Sequence, residues 1–156
     1  MAVTQVAYEV DGWGVGELWL EDGVVVWHEL PHPSRVDRRL GNGPLVDRLR
    51  RYFEGEDVSF DDVPLDLEHE TPFLERCARA LREIPRGEVV TYCELAALAG
   101  APGAARAAGS FCARNRLGLF VPCHRVVAAG GLGSYGSYGL AYKRRLLELE
   151  GSLASV

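Results

Sequence analysis

The sequence lacks the features that mark membrane, secreted and zinc-binding proteins. No apolar run approaches the roughly 18 to 20 residues of a membrane span, and no basic region precedes an apolar core at the N-terminus. The four cysteines include no Cys-x-x-Cys pair, and His28, His32 and His69 lack the spacing of metal ligands. We therefore expect a cytoplasmic protein with free thiols, no membrane partner, no metal and no cofactor.

Acidic residues are missing from a long stretch of the second half. No Asp or Glu occurs between Glu94 and Glu148, whereas seven basic residues fall in that window. Residues 1–70 carry a net charge of −10 and residues 71–156 a net charge of +5, within a total of −5. Such a basic window suggests a polyanionic partner, because each phosphate contact releases counterions. An ordinary solvated face explains the charge alone equally well.

The N-terminal half predicts a small sheet and one helix. Strand-like runs occupy residues 3–10, 13–20 and 24–30, and an Asp-Gly pair, the strongest short hairpin signal, separates each run from the next. We expect a three-stranded antiparallel meander with all three tryptophans in the core, then a helix over residues 45–53. We assign no chemistry to this half. The acidic stretch at 54–70 predicts a connection between a domain of residues 1–68 and a second domain of residues 69–156.

The second half predicts helices joined by a turn. One helix begins at Thr71, a second is capped by Thr91, and a third follows a Gly-Ala-Pro-Gly turn, over about residues 104–114. This outline is typical of a helix-turn-helix, although the outline alone is a weak signal. Small residues surround Arg106 on the third helix and would allow close approach to a sugar-phosphate backbone; a solvated arginine on an alanine-rich helix is the alternative. The expected fold class is α/β of the α+β type, with a small N-terminal sheet and helix joined to a mainly helical C-terminal domain.

Residues 120–127, Phe-Val-Pro-Cys-His-Arg-Val-Val, are the stretch that predicts covalent chemistry. The apolar runs on both sides indicate a buried strand that bends at Pro122, since proline fixes φ and has no N–H. Cys123 is a nucleophile only as a thiolate, and His124 and Arg125 are candidates to favour that form. Adjacent side chains on a regular strand point to opposite faces, so contact between the thiol and the imidazole requires the bend. A bare Cys-His pair is more often a buried structural cysteine.

Further motifs surround this stretch in order along the chain. They are Ile-Pro-Arg-Gly-Glu-Val-Val-Thr-Tyr-Cys-Glu-Leu-Ala at 84–96, Ala-Ala-Arg-Ala-Ala-Gly at 104–109, Arg-Asn at 114–115, and Gly-Leu through a lysine to Leu-Leu-Glu-Leu-Glu-Gly at 139–151. Together with Val-Pro-Cys-His-Arg-Val-Val they resemble the 6-O-alkylguanine-DNA alkyltransferases over nearly all of residues 71–151. The resemblance implies a monomeric DNA repair protein. Such a protein moves a methyl or other alkyl group from the 6-oxygen of guanine, and by extension the 4-oxygen of thymine, in double-stranded DNA irreversibly onto its own cysteine.

The resemblance also implies a role for each matching catalytic residue. Cys123 would be the nucleophile and permanent alkyl acceptor. His124 would act through a water as the base that makes the thiolate, and Glu150 would orient and balance that imidazole. Tyr92 would donate a hydrogen bond to the guanine ring nitrogen as the base leaves.

The remaining roles concern DNA and the alkyl pocket. Arg106 would fill the gap that the flipped nucleotide leaves, and Asn115 would join the helix-turn-helix to the active-site strand. The other expected DNA contacts are Thr91, Ala105 and Arg114. The residues expected to line the alkyl pocket are Val121, Tyr135, Ser137 and Tyr138.

The sequence departs from the family pattern at several places. Arg116 and Gly118 stand where the family commonly has prolines, and Tyr138 stands where it has glycine or a small residue. We therefore expect bulky groups such as benzyl to be accepted poorly while methyl transfer remains. The alternatives are a protein that recognises alkylguanine without repairing it, a cysteine hydrolase, and a DNA-binding regulator; a hydrolase would need an oxyanion hole, and a regulator is more often dimeric.

Overall fold

A computed structural model describes residues 2–37, 39–68 and 71–156. His69, which lacks the spacing of a metal ligand, lies outside the described residues. The chain divides into two compact units. The N-terminal unit contains Met1–Asp66 and Arg116–Phe120, and the C-terminal unit contains Leu67–Asn115 and Val121–Val156. The predicted boundary between residues 68 and 69 stays a prediction. The return of five residues from the second half to the N-terminal unit was not anticipated. No helix in the described ranges is long and apolar enough to cross a membrane.

The N-terminal unit is built on the predicted antiparallel meander. Its strands are β1 (Val3–Val10), β2 (Gly14–Glu21) and β3 (Val24–His32), in that order across the sheet, and helix α1 (Pro44–Phe53) follows. The second hairpin turn adopts the positive φ that an Asp-Gly pair favours, with φ of 52° at Asp22 and 81° at Gly23, whereas in the first turn only the glycine of the pair, Gly12, has positive φ, at 78°. The prediction of three core tryptophans holds for Trp13 alone. Trp19 is half-buried, and its cross-strand partner Trp27 is 44% exposed on the outer face of β3, where its indole N–H donates to Glu29 at 2.8 Å.

The returning segment, residues 116–120, is hydrogen-bonded into the N-terminal unit. The amide of His28 donates to the carbonyl of Arg116 at 2.8 Å, and the Arg116 guanidinium donates to the carbonyls of Val26 and Asp66. The His28 ring lies between the Tyr8 hydroxyl, at 2.6 Å, and the carbonyl of Gly118, at 2.7 Å. Burial lowers the pKa of His28 to about 4, so this ring is neutral at physiological pH.

The C-terminal unit is mainly helical, as predicted. Its elements are α2 (Pro72–Arg82), β4 (Val90–Thr91), α3 (Tyr92–Leu98), α4 (Ala105–Ala113), β5 (Val126–Val127) and α5 (Leu140–Leu149). The Thr71 hydroxyl accepts from the amide of Leu74, and Thr91 and Glu94 form a capping box at the start of α3. Strands β4 and β5 pair in parallel over two residues each.

The strand predicted over residues 120–127 was wrong for most of its length. Only β5 is extended, and Cys123–Arg125 form one turn of 3-10 helix instead. Pro122 is the N-cap of that turn, and its carbonyl accepts from the amide of Arg125 at 2.9 Å. The apolar pattern reported burial correctly, but burial alone does not distinguish a strand from a buried turn.

Candidate active site

The 3-10 turn places the cysteine and the histidine of the motif in the interior of the C-terminal unit. Cys123 is 3% exposed and His124 is fully buried. The amide of Cys123 donates to the carbonyl of Val121 at 2.8 Å, which closes the chain tightly around Pro122. Successive side chains of a 3-10 helix are about 120° apart, against 180° in a strand. Cys123 and His124 therefore do not point to opposite faces, as adjacent residues of a regular strand would.

Glu150, at the end of α5, joins the histidine to an arginine. Nε2 of His124 lies 2.7 Å from Oε2 of Glu150. Arg125 donates to the same carboxylate from Nε at 2.9 Å and from Nη2 at 3.0 Å. Burial opposes a charge on Glu150, but His124 and Arg125 hold the pKa of the carboxyl below its usual value. Glu150 is therefore ionised, and Arg125 serves this carboxylate rather than the cysteine sulfur, contrary to one of the sequence-based predictions.

The hydrogen bond to Glu150 fixes which nitrogen of His124 is basic. A carboxylate only accepts, so we assign the ring proton to Nε2. Burial lowers the pKa of His124, although Glu150 acts in the opposite direction, so the ring is neutral at physiological pH. Nδ1 is then the nitrogen with the lone pair, and it is buried with no hydrogen-bond partner among the described residues. A buried acceptor left unpaired in this way is positioned to take up a proton.

The sulfur of Cys123 has three polar neighbours. Nδ2 of Asn115 lies 3.1 Å from the sulfur and 2.8 Å from the carbonyl of Val121. Cys112 acts to raise the pKa of the Cys123 thiol, and the charge of Lys143 acts to lower it. Burial outweighs Asn115 and Lys143 and raises the pKa of Cys123 well above its usual value. The resting group is therefore a thiol, and a base has to remove its proton before reaction.

Tyr92, the first residue of α3, is held by the loop that precedes α5. Its hydroxyl accepts from the amide of Ser134 at 3.3 Å, and Nζ of Lys143 lies 5.7 Å from the ring centroid. Gly133 has φ of 80°, and a Cβ there would lie 2.6 Å from the Tyr92 hydroxyl oxygen. A glycine is therefore needed at this position for the loop to pass so close to the phenol.

Three tyrosines form a cluster beside the sulfur. The ring centroids of Tyr135 and Tyr138 are 5.9 Å apart, and those of Tyr138 and Tyr142 are 5.2 Å apart. Burial raises the pKa of the Tyr135 phenol well above its usual range, and the nearby Cys123 adds to that rise. Ser137 is exposed. Two of the three predicted pocket residues of this loop, Tyr135 and Tyr138, thus lie in one cluster, and Tyr142 is a third member that was not predicted.

Helices α3 and α4 present the predicted DNA-contacting residues at the edge of the unit. Arg106 is exposed in the first turn of α4, next to the half-buried Ala105. Arg114 is exposed at the end of the same helix, where its Nε donates to the carbonyl of Ser110 at 3.3 Å. Thr91, the cap of α3, is half-buried. No Asp or Glu lies close to Arg106 or Arg114 in the sequence, because the acid-free window includes all of α4.

The seven cations of the basic window differ in exposure, and Arg116 and Arg125 are half-buried. Arg106, Arg114, Arg144 and Arg145 are exposed. Lys143 is fully buried, where Nζ donates to the carbonyls of Val126 and Ser134, and burial lowers its pKa to about 8. The sequence-based reasoning counted Lys143 as part of a surface charge. Its helical spacing from the apolar residues Leu146 and Leu147 was the signal that could have placed it on the buried face of α5.

Among the described residues, no group of three or more His, Cys, Asp or Glu side chains could hold a metal ion. The four cysteines are free, with Cys77 and Cys123 buried, Cys112 half-buried and Cys93 exposed.

Comparison with known proteins connects this geometry to one family. The family described as "6-O-methylguanine DNA methyltransferase, DNA binding domain" matches residues 72–152. The methylated-DNA–protein-cysteine methyltransferase of Metallosphaera sedula is 45% identical over 123 residues, which are 79% of this chain and 76% of that protein. The protein of the same name from Methanopyrus kandleri is 50% identical over 107 residues, which are 69% of this chain and 79% of that protein. A crystal structure of Mycobacterium tuberculosis OGT in complex with DNA superimposes with a TM-score of 0.78 at 39% identity and covers 95% of this chain and 93% of that one.

Proposed function

This chain belongs to the 6-O-methylguanine DNA methyltransferase family, and we propose that Cys123 is the sulfur that accepts the alkyl group. The protein is a DNA repair methyltransferase whose substrate is alkylated duplex DNA. The observation that carries the assignment of the acceptor is the arrangement at the 3-10 turn. A buried thiol is followed by a neutral histidine that Glu150 orients and that keeps a free Nδ1.

The chemistry requires a proton to leave Cys123 and a negative charge to develop on guanine. His124 takes the proton at Nδ1 through one water, and Glu150 stabilises the imidazolium that results. The thiolate attacks the alkyl carbon in line; the sulfur–carbon bond forms as the bond from that carbon to the 6-oxygen breaks. Tyr92 donates its hydroxyl proton in a hydrogen bond to the ring nitrogen of the departing guanine. The thioether is stable, so each molecule reacts once.

Access to the sulfur requires the damaged nucleotide to leave the base stack. Unstacking costs a few kcal/mol, and Arg106 is exposed in the first turn of α4, where it could fill the vacated space. Helices α3 and α4 then act as a helix-turn-helix, with Thr91, Ala105 and Arg114 at the DNA backbone. A lesion occurs in any sequence, so phosphate contacts supply most of the affinity.

The alkyl group lies against Val121 and the tyrosine cluster. Tyr138 adds an aromatic ring to the loop where the family has glycine or a small residue, so we propose that methyl is transferred much faster than benzyl. We propose the 6-oxygen of guanine as the main donor atom and the 4-oxygen of thymine as a second one. Single-turnover rates on duplexes that carry 6-O-methylguanine or 6-O-benzylguanine test this. A Tyr138→Gly variant should gain on the benzyl substrate alone. Equal wild-type rates on both duplexes contradict the proposal.

We also propose that the protein is a cytoplasmic monomer that works without a cofactor. Four free thiols suit a reducing compartment, and the chemistry above needs only the chain and its substrate. Size-exclusion chromatography with light scattering, with and without duplex, tests the monomer.

The decisive experiment is mass spectrometry of the protein after incubation with a duplex that contains one 6-O-methylguanine. We expect one methyl group per molecule, mapped to Cys123 and absent from a Cys123→Ala variant. A Cys93→Ala variant, which removes the exposed thiol, should gain the methyl as the wild type does. If the wild type binds the duplex and gains no mass, the second candidate, a protein that recognises alkylguanine without repairing it, is correct. The roles of His124 and Glu150 then fail as well.

A further inference from the structure

The segment of residues 116–120 begins and ends beside the proposed acceptor. Asn115 precedes the segment and Val121 follows it, and the side chain of Asn115 donates to the carbonyl of Val121 at 2.8 Å. The same side-chain nitrogen lies 3.1 Å from the sulfur of Cys123. The amide of Cys123 donates to the Val121 carbonyl as well, at 2.8 Å. Both ends of the segment therefore belong to the hydrogen-bond network of the acceptor sulfur.

Helix α4 gives Asn115 little backbone support. The helix ends at Ala113, with Arg114 as its C-cap. The amide of Asn115 lies 3.4 Å from the carbonyl of Cys112, which is long for a backbone hydrogen bond. No proline lies between Asn115 and Val121 to restrict the backbone. We therefore expect the position of the Asn115 side chain to depend on the residue that follows it.

That residue, Arg116, is held by three hydrogen bonds within the N-terminal unit. Its carbonyl accepts from the amide of His28 at 2.8 Å, and its guanidinium donates to the carbonyl of Val26 at 3.2 Å and to that of Asp66 at 2.9 Å. Strand β3 is an edge of the three-stranded sheet, and a parallel bridge between His28 and Leu117 extends the sheet there. A guanidinium can serve two carbonyl groups at once, because it presents several N–H donors in a planar fork. Arg116 therefore anchors the start of the segment.

The rest of the segment is also constrained. The carbonyl of Gly118 lies 2.7 Å from Nδ1 of His28. Leu119 is buried and has φ of 70°, a left-handed conformation that is unfavourable for a residue with a side chain. Such a conformation persists only where the surrounding structure determines it. The segment is therefore a rigid support rather than a free loop.

We propose that Arg116 is a positioning residue for methyl transfer, which acts by holding the Asn115 amide group against the sulfur of Cys123. This role rests on the proposed function of Cys123 as alkyl acceptor. The hydrogen bond from Asn115 stabilises the thiolate and acts to lower the pKa of Cys123, against the effect of burial. Without the anchor, this hydrogen bond is formed for less of the time and the thiolate is less stable. Arg116 exerts this effect without touching the DNA or the alkyl group.

The test is a double-mutant cycle of Arg116→Met and Asn115→Ala. Methionine keeps an apolar stem but has no donor, so Arg116→Met should slow single-turnover transfer about fivefold, a smaller effect than that of Asn115→Ala. Because Arg116 acts through Asn115, the Arg116→Met change should add nothing in the Asn115→Ala background. Arg116→Lys, which keeps a single donor group, should give a rate between those of the wild type and Arg116→Met. Arg50→Met is the matched control: this guanidinium donates to the carbonyl of Glu9 on β1, at the opposite edge of the same sheet, and its loss should leave the rate unchanged.

A second measurement separates positioning from a loss of stability. Iodoacetamide alkylates a cysteine as its thiolate, so the pH dependence of its reaction with Cys123, mapped by mass spectrometry, reports on the thiolate without DNA or a methyl donor. A fivefold loss of thiolate should move the midpoint of this profile to higher pH by about 0.7 of a unit in Arg116→Met. The midpoint should stay in place in Arg50→Met. A loss of global stability, measured separately by urea unfolding, does not move the midpoint while the protein remains folded.

Two results would overturn the positioning role. One is an Arg116→Met protein whose pH midpoint or measurable transfer rate equals that of the wild type. The other is an Arg116→Met change that slows transfer as much in the Asn115→Ala background as in the wild type. If the midpoint moves as expected but the wild type transfers no methyl group, the positioning role stands and the proposed acceptor role of Cys123 fails.

Discussion

Replacing Glu150 by glutamine should slow methyl transfer about a thousand-fold. Glutamine keeps the size of the side chain and its hydrogen-bonding atoms but removes the charge that faces the imidazolium of His124. With Nε2 and Oε2 2.7 Å apart, the charge centres are roughly 4 Å apart, and two unit charges at that distance interact by about 4 kcal/mol at an effective dielectric constant of 20. Each 1.4 kcal/mol changes the population of the thiolate–imidazolium pair about tenfold. Without the Glu150 carboxylate, the positive charge of Arg125 would also disfavour the protonated form of His124 nearby.

The assay is single-turnover transfer with the protein in excess over a duplex that contains 6-O-methylguanine. Glu148→Gln is a matched control, because this exposed carboxylate lies on the same helix, and its rate should stay within about twofold of wild type since exposed charges interact weakly. Breaking a buried ion pair costs about 3 to 5 kcal/mol of stability, so urea unfolding must first show that Glu150→Gln is folded at the assay temperature. Raising the pH should restore part of the rate, since the thiolate then forms without the histidine. A folded Glu150→Gln protein that transfers methyl within a few-fold of wild type refutes the reasoning.

Three further predictions concern stability, the sulfur and the DNA. His28 has a pKa of about 4 when folded against 6.5 in the unfolded chain, so the unfolded state binds the proton first; stability that is complete above pH 6.5 should fall by about 3 kcal/mol as the pH drops to 4, and urea unfolding of His28→Gln should lack this slope. Asn115→Ala removes the donor to the sulfur and should slow single-turnover transfer about tenfold, since a hydrogen bond to a charged group is worth about 1.5 to 3 kcal/mol; an unchanged rate contradicts this. Arg106→Ala should slow transfer from duplex DNA about 30-fold, from about 2 kcal/mol of lost compensation for unstacking, yet leave transfer from the free methylated base unchanged, while Arg144→Ala, another exposed arginine, should alter neither.

The sequence was sufficient for features that depend on neighbours along the chain. The three strands and their hairpins, the Thr71 and Thr91 caps, and helices α1 to α4 lie close to where turn and capping residues predict them. These signals are local, since a residue with positive φ or a capping hydroxyl acts within a few positions. The family motifs extended the prediction to the candidate site. Its hydrogen bond between His124 and Glu150 joins residues 26 positions apart.

The sequence was insufficient where packing decides the outcome. Residues 120–125 read as a buried strand and form a turn, because apolar composition reports burial but not backbone direction. Trp27 was expected in the core and is 44% exposed, whereas Lys143 was expected at the surface and is buried. The buried amine of Lys143 is stabilised by the carbonyl groups of Val126 and Ser134, which lie 17 and 9 positions away along the chain. No pattern within the sequence specifies such partners.

The path of the chain through residues 116–120 limits how this protein can be rearranged by recombination. The five-residue segment belongs to the N-terminal unit yet is encoded between Asn115 and Val121. Leu117, Leu119 and Phe120 are each at most 5% exposed, and each buried side chain of this size contributes about 2 kcal/mol. A chimaera that exchanges residues 1–66 with those of a relative would mismatch this packing unless residues 116–120 are exchanged as well. A single crossover therefore cannot separate the two units.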